Sequence, residues 1–352
     1  MSFAKPWLSV RLQRFPLSLR VDRRAPWVLA TLALCALLLL VLNVSQGEYP
    51  VPPTAVVKTI LGMPVNADYA FIINTLRLPR ALVALLVGMG LATAGAILQG
   101  LTRNPLAAPE IIGINSGAGL VAVVMIVLLP SVSLVWLPGA AFLGGLGVAI
   151  AIYLLAWNQG SSPIRLILIG IGLSALTSAL TSLMITFGEI NAVSQVLVWL
   201  TGSVYGRSWE HLWPLLPWLV VFLPLSLVLA RELDTLNLGD NLAQGLGSRV
   251  EQIRGLLLLC SVALAGSAVA TAGTIGFVGL MAPHLARRLV GPSHAGLLPT
   301  AALMGAIIVE LADFLGRLLF APIELPCGVI TAVIGAPYFL WLLYRDSRGS
   351  SL

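Results

Sequence analysis

Charge is scarce in this sequence. Lys, Arg, Asp and Glu make up 10 % of its 352 residues, where a soluble domain carries about 25 %. Hydrophobic residues reach 58 %, more than a soluble chain of this length can keep away from water. The composition fits lipid as the solvent. Histidine and cysteine are sparse too. His211, His284 and His294 are scattered, and Cys35, Cys260 and Cys327 fall in apolar runs or beside a loop. No C-x-x-C or H-E-x-x-H spacing occurs, which leaves no metal-site motif. A G-x-x-x-x-G-K-[ST] loop is missing as well, so the chain lacks that device for cradling ATP phosphates. No long polar stretch divides the hydrophobic runs, and a single membrane domain is the expectation.

Hydrophobic segments are what remains, and they recur from end to end. A membrane helix needs about 20 apolar residues. Segments of that kind lie near 27–44, 80–101, 111–130, 134–157, 163–187, 212–231, 253–272, 277–290, 299–320 and 328–344. The eighth is short and contains Pro283 and His284, as a broken or tilted helix would. The brief apolar stretch 192–205, with Gly202 and Gly206, reads as a short helix on the outer face. An all-α protein of about ten transmembrane helices is predicted, with both termini cytoplasmic. Residues 1–26 form a basic arm, 27–344 the membrane domain and 345–352 a tail. The first apolar run has no small-residue cleavage site at its end, so it reads as a membrane helix rather than a signal peptide.

The positive-inside rule supports that orientation. The inner side receives Lys5, Arg11, Arg14, Arg20, Arg23 and Arg24 of the arm. It also receives Arg103, Arg165, Arg231, Arg249, Arg254, Arg287, Arg288, Arg345 and Arg348. These are 15 of the 20 basic residues; Lys58, Arg77, Arg80, Arg207 and Arg317 fall outside.

Small residues recur every fourth position in two segments: Gly88, Ala92, Ala96 and Gly100, and then Gly170, Ser174, Ser178 and Ser182. Such stripes let helix backbones approach closely in lipid. The second stripe is more polar than packing requires, so Ser174, Ser178 and Ser182 are also candidates for the wall of a substrate path. Glu310, Asp313 and Arg317 share one face of the ninth segment. An ion-pair network, a proton or ion relay, and exposure of Arg317 at the outer end are all open readings. Ser116 and His284 raise an intramembrane protease, but Ser116 lies among glycines, where helix packing accounts for it.

Three loops stand out. Arg77-Leu78-Pro79-Arg80 sets two cations on the side that should be poor in them, where an acidic partner or snorkelling would explain them. Arg103-Asn104-Pro105-Leu106-Ala107 lies at the inner end of the second segment. The longest inner loop, 232–252, contains Leu238, Leu242 and Leu246 at helical spacing in a stretch too polar for lipid. Asp240 is placed to cap such a helix, and an amphipathic helix there suits docking to a soluble partner.

The stretches RLPRALVALLVGMGLATAGAILQGLTRNPLAAPEIIGINSGAG (77–119), LGDNLAQGLG (238–247), GTIGFVGLMAPHLARRLVG (273–291) and ELPCGVITAVIGAPYFLWLL (324–343) carry a resemblance. The chain resembles the permease subunits of bacterial ATP-binding-cassette (ABC) importers for ferric siderophores, ferric citrate, haem and cobalamin. WLTGSVYGRSW (199–209) is most similar to the ferric-citrate and related iron-chelate members. Cys327 departs from an aliphatic residue common in the family.

The resemblance implies the type II importer architecture in the inner membrane, with a second permease, identical or paralogous. Two cytoplasmic ATPases and a periplasmic binding protein complete the assembly. No cofactor is implied, because ATP is bound by the ATPases, and no nucleic acid. Arg77, Arg80 and Arg317 would receive glutamates of the binding protein. Asn104, Leu106, Ser161 and Ser162 would form a cytoplasmic gate. Leu238, Gly239, Asp240, Leu242, Gly245, Leu246 and Gly247 would contact an ATPase. A haem or cobalamin permease is the near alternative on substrate, and a proton-coupled secondary transporter the distant one.

Overall fold

In the computed structural model, residues 7–11, 18–158 and 162–349 are described. Helices dominate, and they follow the hydrophobic segments closely. The order is α1 (Ala25–Ser45), α2 (Pro53–Ile60), α3 (Ala67–Phe71), α4 (Leu78–Thr102), α5 (Ile114–Val123), α6 (Leu137–Ala156), α7 (Pro163–Phe187) and α8 (Ile190–Thr201). It continues with α9 (Trp209–Val228), α10 (Ala230–Asn237), α11 (Asp240–Gly245), α12 (Val250–Ala272), α13 (Val278–Val290), α14 (His294–Leu318) and α15 (Cys327–Gly349). A π-helical turn, Ile72–Arg77, joins α3 to α4, and another, Val124–Leu128, extends α5. Seven helices among the described residues are long and apolar enough to cross a membrane, and the shorter apolar segments Ile114–Leu128, Ile190–Thr201 and Cys327–Leu342 accompany them.

Two features, a hairpin and a pair of short helices, differ from the expected pattern. The basic arm contains an antiparallel hairpin, β1 (Trp7–Arg11) with β2 (Ser18–Asp22), so the fold is not purely α. In addition, α2 and α3 fill the connection between α1 and α4.

Proline and glycine set many of the helix limits. Pro26, Pro79 and Pro163 open α1, α4 and α7, where a missing N–H costs nothing. Gly202, Gly273 and Gly291 close α8, α12 and α13 at φ of 74°, 74° and 80°, which glycine adopts without strain. Pro214, Pro217 and Pro224 lie inside α9, as membrane helices tolerate.

The core is α4, enclosed by α12, α13 and α14. The stripe Gly88, Ala92, Ala96 and Gly100 is entirely buried. A Cβ on Gly88 would collide with the Gly305 carbonyl of α14, and one on Gly95 with the Gly279 carbonyl of α13. Here the small-residue stripe is packing, with backbones in direct contact. On α7, by contrast, Gly172 faces open space and Ser178 and Ser182 are exposed.

Candidate functional site

Two clusters of the residues singled out above lie near opposite ends of α4. At its N-terminal end, the three candidate arginines gather around the last turns of α1 and α14. Arg77 donates to the carbonyls of Val44 and Ser45 at 3.0 and 3.1 Å and to that of Tyr49 at 2.6 Å. It therefore satisfies the terminal carbonyls that a helix end leaves open. Arg80 bonds Asp313 at 2.7 Å and Glu324 at 2.8 Å, and its guanidinium lies 5.5 Å from the Tyr205 ring centre. Arg317 donates to the Asn43 backbone carbonyl at 2.8 Å, to the Asn43 side-chain oxygen and to the Gln46 carbonyl. Its Nε lies 3.6 Å from Asp313. A cavity of about 200 Å³ opens beside Arg317, lined by Gln46, Glu48, Phe314, Pro322 and Glu324.

Of the acidic face on α14, only Asp313 joins this network. Glu310 is fully buried, and neither of its carboxylate oxygens has a hydrogen-bond partner among the described residues. Arg207 was not singled out. It occupies the α8–α9 loop with no hydrogen bond or ion pair to its side chain among the described residues, and its Nε is buried. Burial lowers its guanidinium below the ordinary arginine value.

At the C-terminal end of α4, Arg103 closes the helix in the left-handed conformation, φ 54°. Asn104 then forms a tight turn, its Oδ1 accepting from the Leu106 N–H at 2.9 Å. Leu106 and Ser162 are half-buried, and Ser161 lies outside the described residues. Ser174 is also half-buried, 3.3 Å from the Ser116 hydroxyl. Ser116 also lies within hydrogen-bond distance of the Gly113 carbonyl, at 3.1 Å, while the His284 ring lies edge-on to Tyr338. Each of the two residues suggested for a protease thus has its own neighbours.

The segment 238–247 protrudes at this end. Leu238, Leu242 and Leu246 are 60 %, 62 % and 69 % exposed. Gly239 and Gly247 turn the chain at φ 115° and 86°, whereas Gly245 lies in the helix itself. Asp240 does not cap α11, as its spacing had suggested. The N-cap is Gly239 without a side-chain bond, and the Asp240 carboxylate instead bridges Arg103 at 2.6 Å and Arg254 at 2.8 Å. Arg103 also donates to the Leu236 carbonyl at 3.2 Å. Its side chain holds the segment against α4, and Arg254, 2 % exposed, holds it against α12. The ion pairs thus fix the polar side of the segment while its leucines remain uncovered.

Comparison with known proteins identifies the family. The chain is 45 % identical over 331 residues to the Fe(3+)-citrate import system permease protein YfmE of Bacillus subtilis (strain 168), covering 94 % of this chain and 98 % of that one. It is 42 % identical over 320 residues to the Fe(3+) dicitrate transport system permease protein FecD of Escherichia coli (strain K12), covering 90 % and 98 %. A solved structure in an inward-facing conformation, described as a metal-chelate type ABC transporter, superposes with a TM-score of 0.83. It is 35 % identical and spans 91 % of this chain and 99 % of its own. The family model matches residues 34–345. This multi-pass membrane protein belongs to the FecCD transport family, whose members are transport permease subunits rather than enzymes.

Proposed function

We propose that this chain is the membrane permease of an ATP-driven importer that carries an iron chelate, a ferric siderophore or ferric citrate, from periplasm to cytoplasm. It crosses the inner membrane about ten times with both termini inside, and it pairs with a second permease. Separate ATPases hydrolyse ATP, and a binding protein delivers the chelate to the outer side. The chain needs no cofactor of its own.

The observation that carries this reading is the exposed leucine stripe of segment 238–247, held by the ion pairs of Asp240 at one end of the bundle. Apolar side chains on a short polar helix gain from burial in a soluble partner's groove. The iron-citrate transport named for two relatives supports the substrate class. Arg77, Arg80 and Arg317 form the outer docking surface. Asn104, Leu106, Ser161 and Ser162 form the inner gate, and Ser174, Ser178 and Ser182 line the path against the second permease.

The test is uptake of ferric citrate into liposomes containing the assembled transporter and its binding protein. Uptake should require enclosed ATP and persist without a proton gradient. Uptake driven by a proton gradient without ATP would overturn the reading.

A further inference from the structure

The element that leads into the leucine segment carries a second acid, Asp234, which no sequence motif had marked. Asp234 lies on α10 and reaches across 59 and 60 positions to the start of α14. Its Oδ1 accepts from the His294 backbone N–H at 3.0 Å and lies 2.5 Å from His294 Nδ1, and its Oδ2 accepts from the Ser293 hydroxyl at 3.2 Å.

The first turn of α14 lacks any acid of its own, and its N-cap Ser293 makes no capping bond with its side chain. Helix N-termini leave N–H groups unpaired and favour negative charge. Asp234 supplies both the acceptor and the charge from another helix. The imidazole of His294 is 1 % exposed and wedged against α4: a Cβ on Gly100 would meet His294 Nε2 and the Leu233 side chain. The contact therefore joins α10, α14 and α4.

From this joint α14 continues for 25 residues, with Pro299 inside its second turn, about 37 Å at 1.5 Å per residue. It crosses α4 with Gly305 against Gly88 and ends at Asp313, which pairs with Arg80, and at Arg317, which lies beside Asp313. One helix thus spans from the base of the leucine segment to the arginine cluster.

We propose that Asp234 is a positioning residue that couples the two faces of the transporter: through Ser293 and His294 it makes α14 move with the ATPase-contacting segment. This rests on the reading of 238–247 as the ATPase contact. The joint stays closed through the cycle, because the link works only if α10 and the first turn of α14 are one body. Arrival of the ATPase's motion at the outer arginines, and of the binding protein's signal at the ATPase, both pass through it.

Two measurements separate the joint from the function assigned to it. In the purified permease alone, hydrogen exchange at the backbone N–H of His294 should accelerate in Asp234→Ala and return toward the native rate in Asp234→Asn, which keeps a capping oxygen. Unchanged exchange in Asp234→Ala would overturn the joint, whatever the chain transports. In liposomes with the ATPase, the binding protein and ferric citrate, Asp234→Ala should lower iron delivered per ATP hydrolysed by about fivefold or more, the lower range of allosteric couplings. Binding-protein stimulation of hydrolysis should fall with it. An equal loss of uptake and hydrolysis, leaving the ratio unchanged, would mean a merely structural role and overturn the proposal. Wild-type uptake that ignores ATP would instead sink the functional reading, while the exchange result would still judge the joint.

Should Asp234→Ala fail to fold, Asp234→Cys with Ser293→Cys in a Cys35→Ser background replaces it. A closed cross-link should preserve ATP-dependent uptake. Arrest of uptake by the cross-link, reversed by reduction, would show that the joint opens and would refute the proposal.

Discussion

At the end of the bundle proposed to face outward, Arg77, Arg80 and Arg317 are all engaged within the chain, by helix-end carbonyls or by Asp313 and Glu324. At the end proposed to face inward, Leu238, Leu242 and Leu246 stand uncovered while Asp240 and Arg254 fix the backbone beneath them. The difference separates two ways of meeting a partner. The inner face offers apolar area at once, so association there gains from burial and is insensitive to salt. The outer face offers charge that already has partners, so an incoming carboxylate must share or replace them, and salt weakens the encounter. A permanent contact suits the first face, and a cyclic one the second.

The sharpest way to break this comparison is to reverse the charges of the outer face. Arg80→Glu with Arg317→Glu leaves Asp313, 3 % exposed, beside two acids. Breaking a buried pair costs about 3–5 kcal/mol. The double variant should lose binding-protein affinity and also melt several degrees lower in detergent. A loss of affinity at unchanged thermal stability would mean that these arginines serve docking alone.

On the inner face, Leu246→Ala should weaken association with the ATPase about tenfold. Burying a leucine contributes about 1.5–3 kcal/mol, and about 1.4 kcal/mol is a factor of ten. Titration of the purified subunits at low and high salt measures it, and strong salt dependence would contradict an apolar contact.

Arg77→Lys probes the outer face more gently. The charge survives, but one ammonium cannot reproduce the fork that serves three carbonyls. Thermal stability should fall by about 1 kcal/mol, with binding-protein affinity nearly unchanged; the reverse pattern would make Arg77 chiefly a docking residue. The smallest effect belongs to Glu324→Gln. It removes a partly exposed partner of Arg80, worth about 1 kcal/mol or less. Binding-protein affinity should rise a few-fold, and a fall would make Glu324 itself a docking group.

Much of this was legible in the chain because membrane helices announce themselves. Long apolar runs, flanked by proline and glycine, placed α7 at its observed limits and α4 and α12 within a few residues. The leucine stripe was visible from spacing alone, since exposure follows when apolar residues sit in a segment too polar for lipid. Pairings distant in sequence were not visible. Asp240 looked like a local cap, but Arg103 and Arg254 compete for its carboxylate with two charged bonds. Nothing near Asp234 in sequence points to His294, because the acceptor and the helix end it serves lie on different elements. The hairpin in the basic arm escaped notice because its two short strands share that segment's charged composition. The burial of Glu310 away from the arginines depends on the packing of α1 against α14, which a shared helix face does not specify.

Leu242→Asp, reconstituted with its ATPase and binding protein and measured for ferric citrate uptake beside the wild type, tests the proposed ATPase contact most directly. The substitution places a charge at the centre of the apolar contact and leaves the ion pairs of Asp240 intact. The variant should insert and receive its binding protein, yet fail to retain the ATPase, so that uptake and transport-stimulated ATP hydrolysis fall together. Uptake at the wild-type rate would contradict the assignment of 238–247 as the site where ATP hydrolysis reaches this chain.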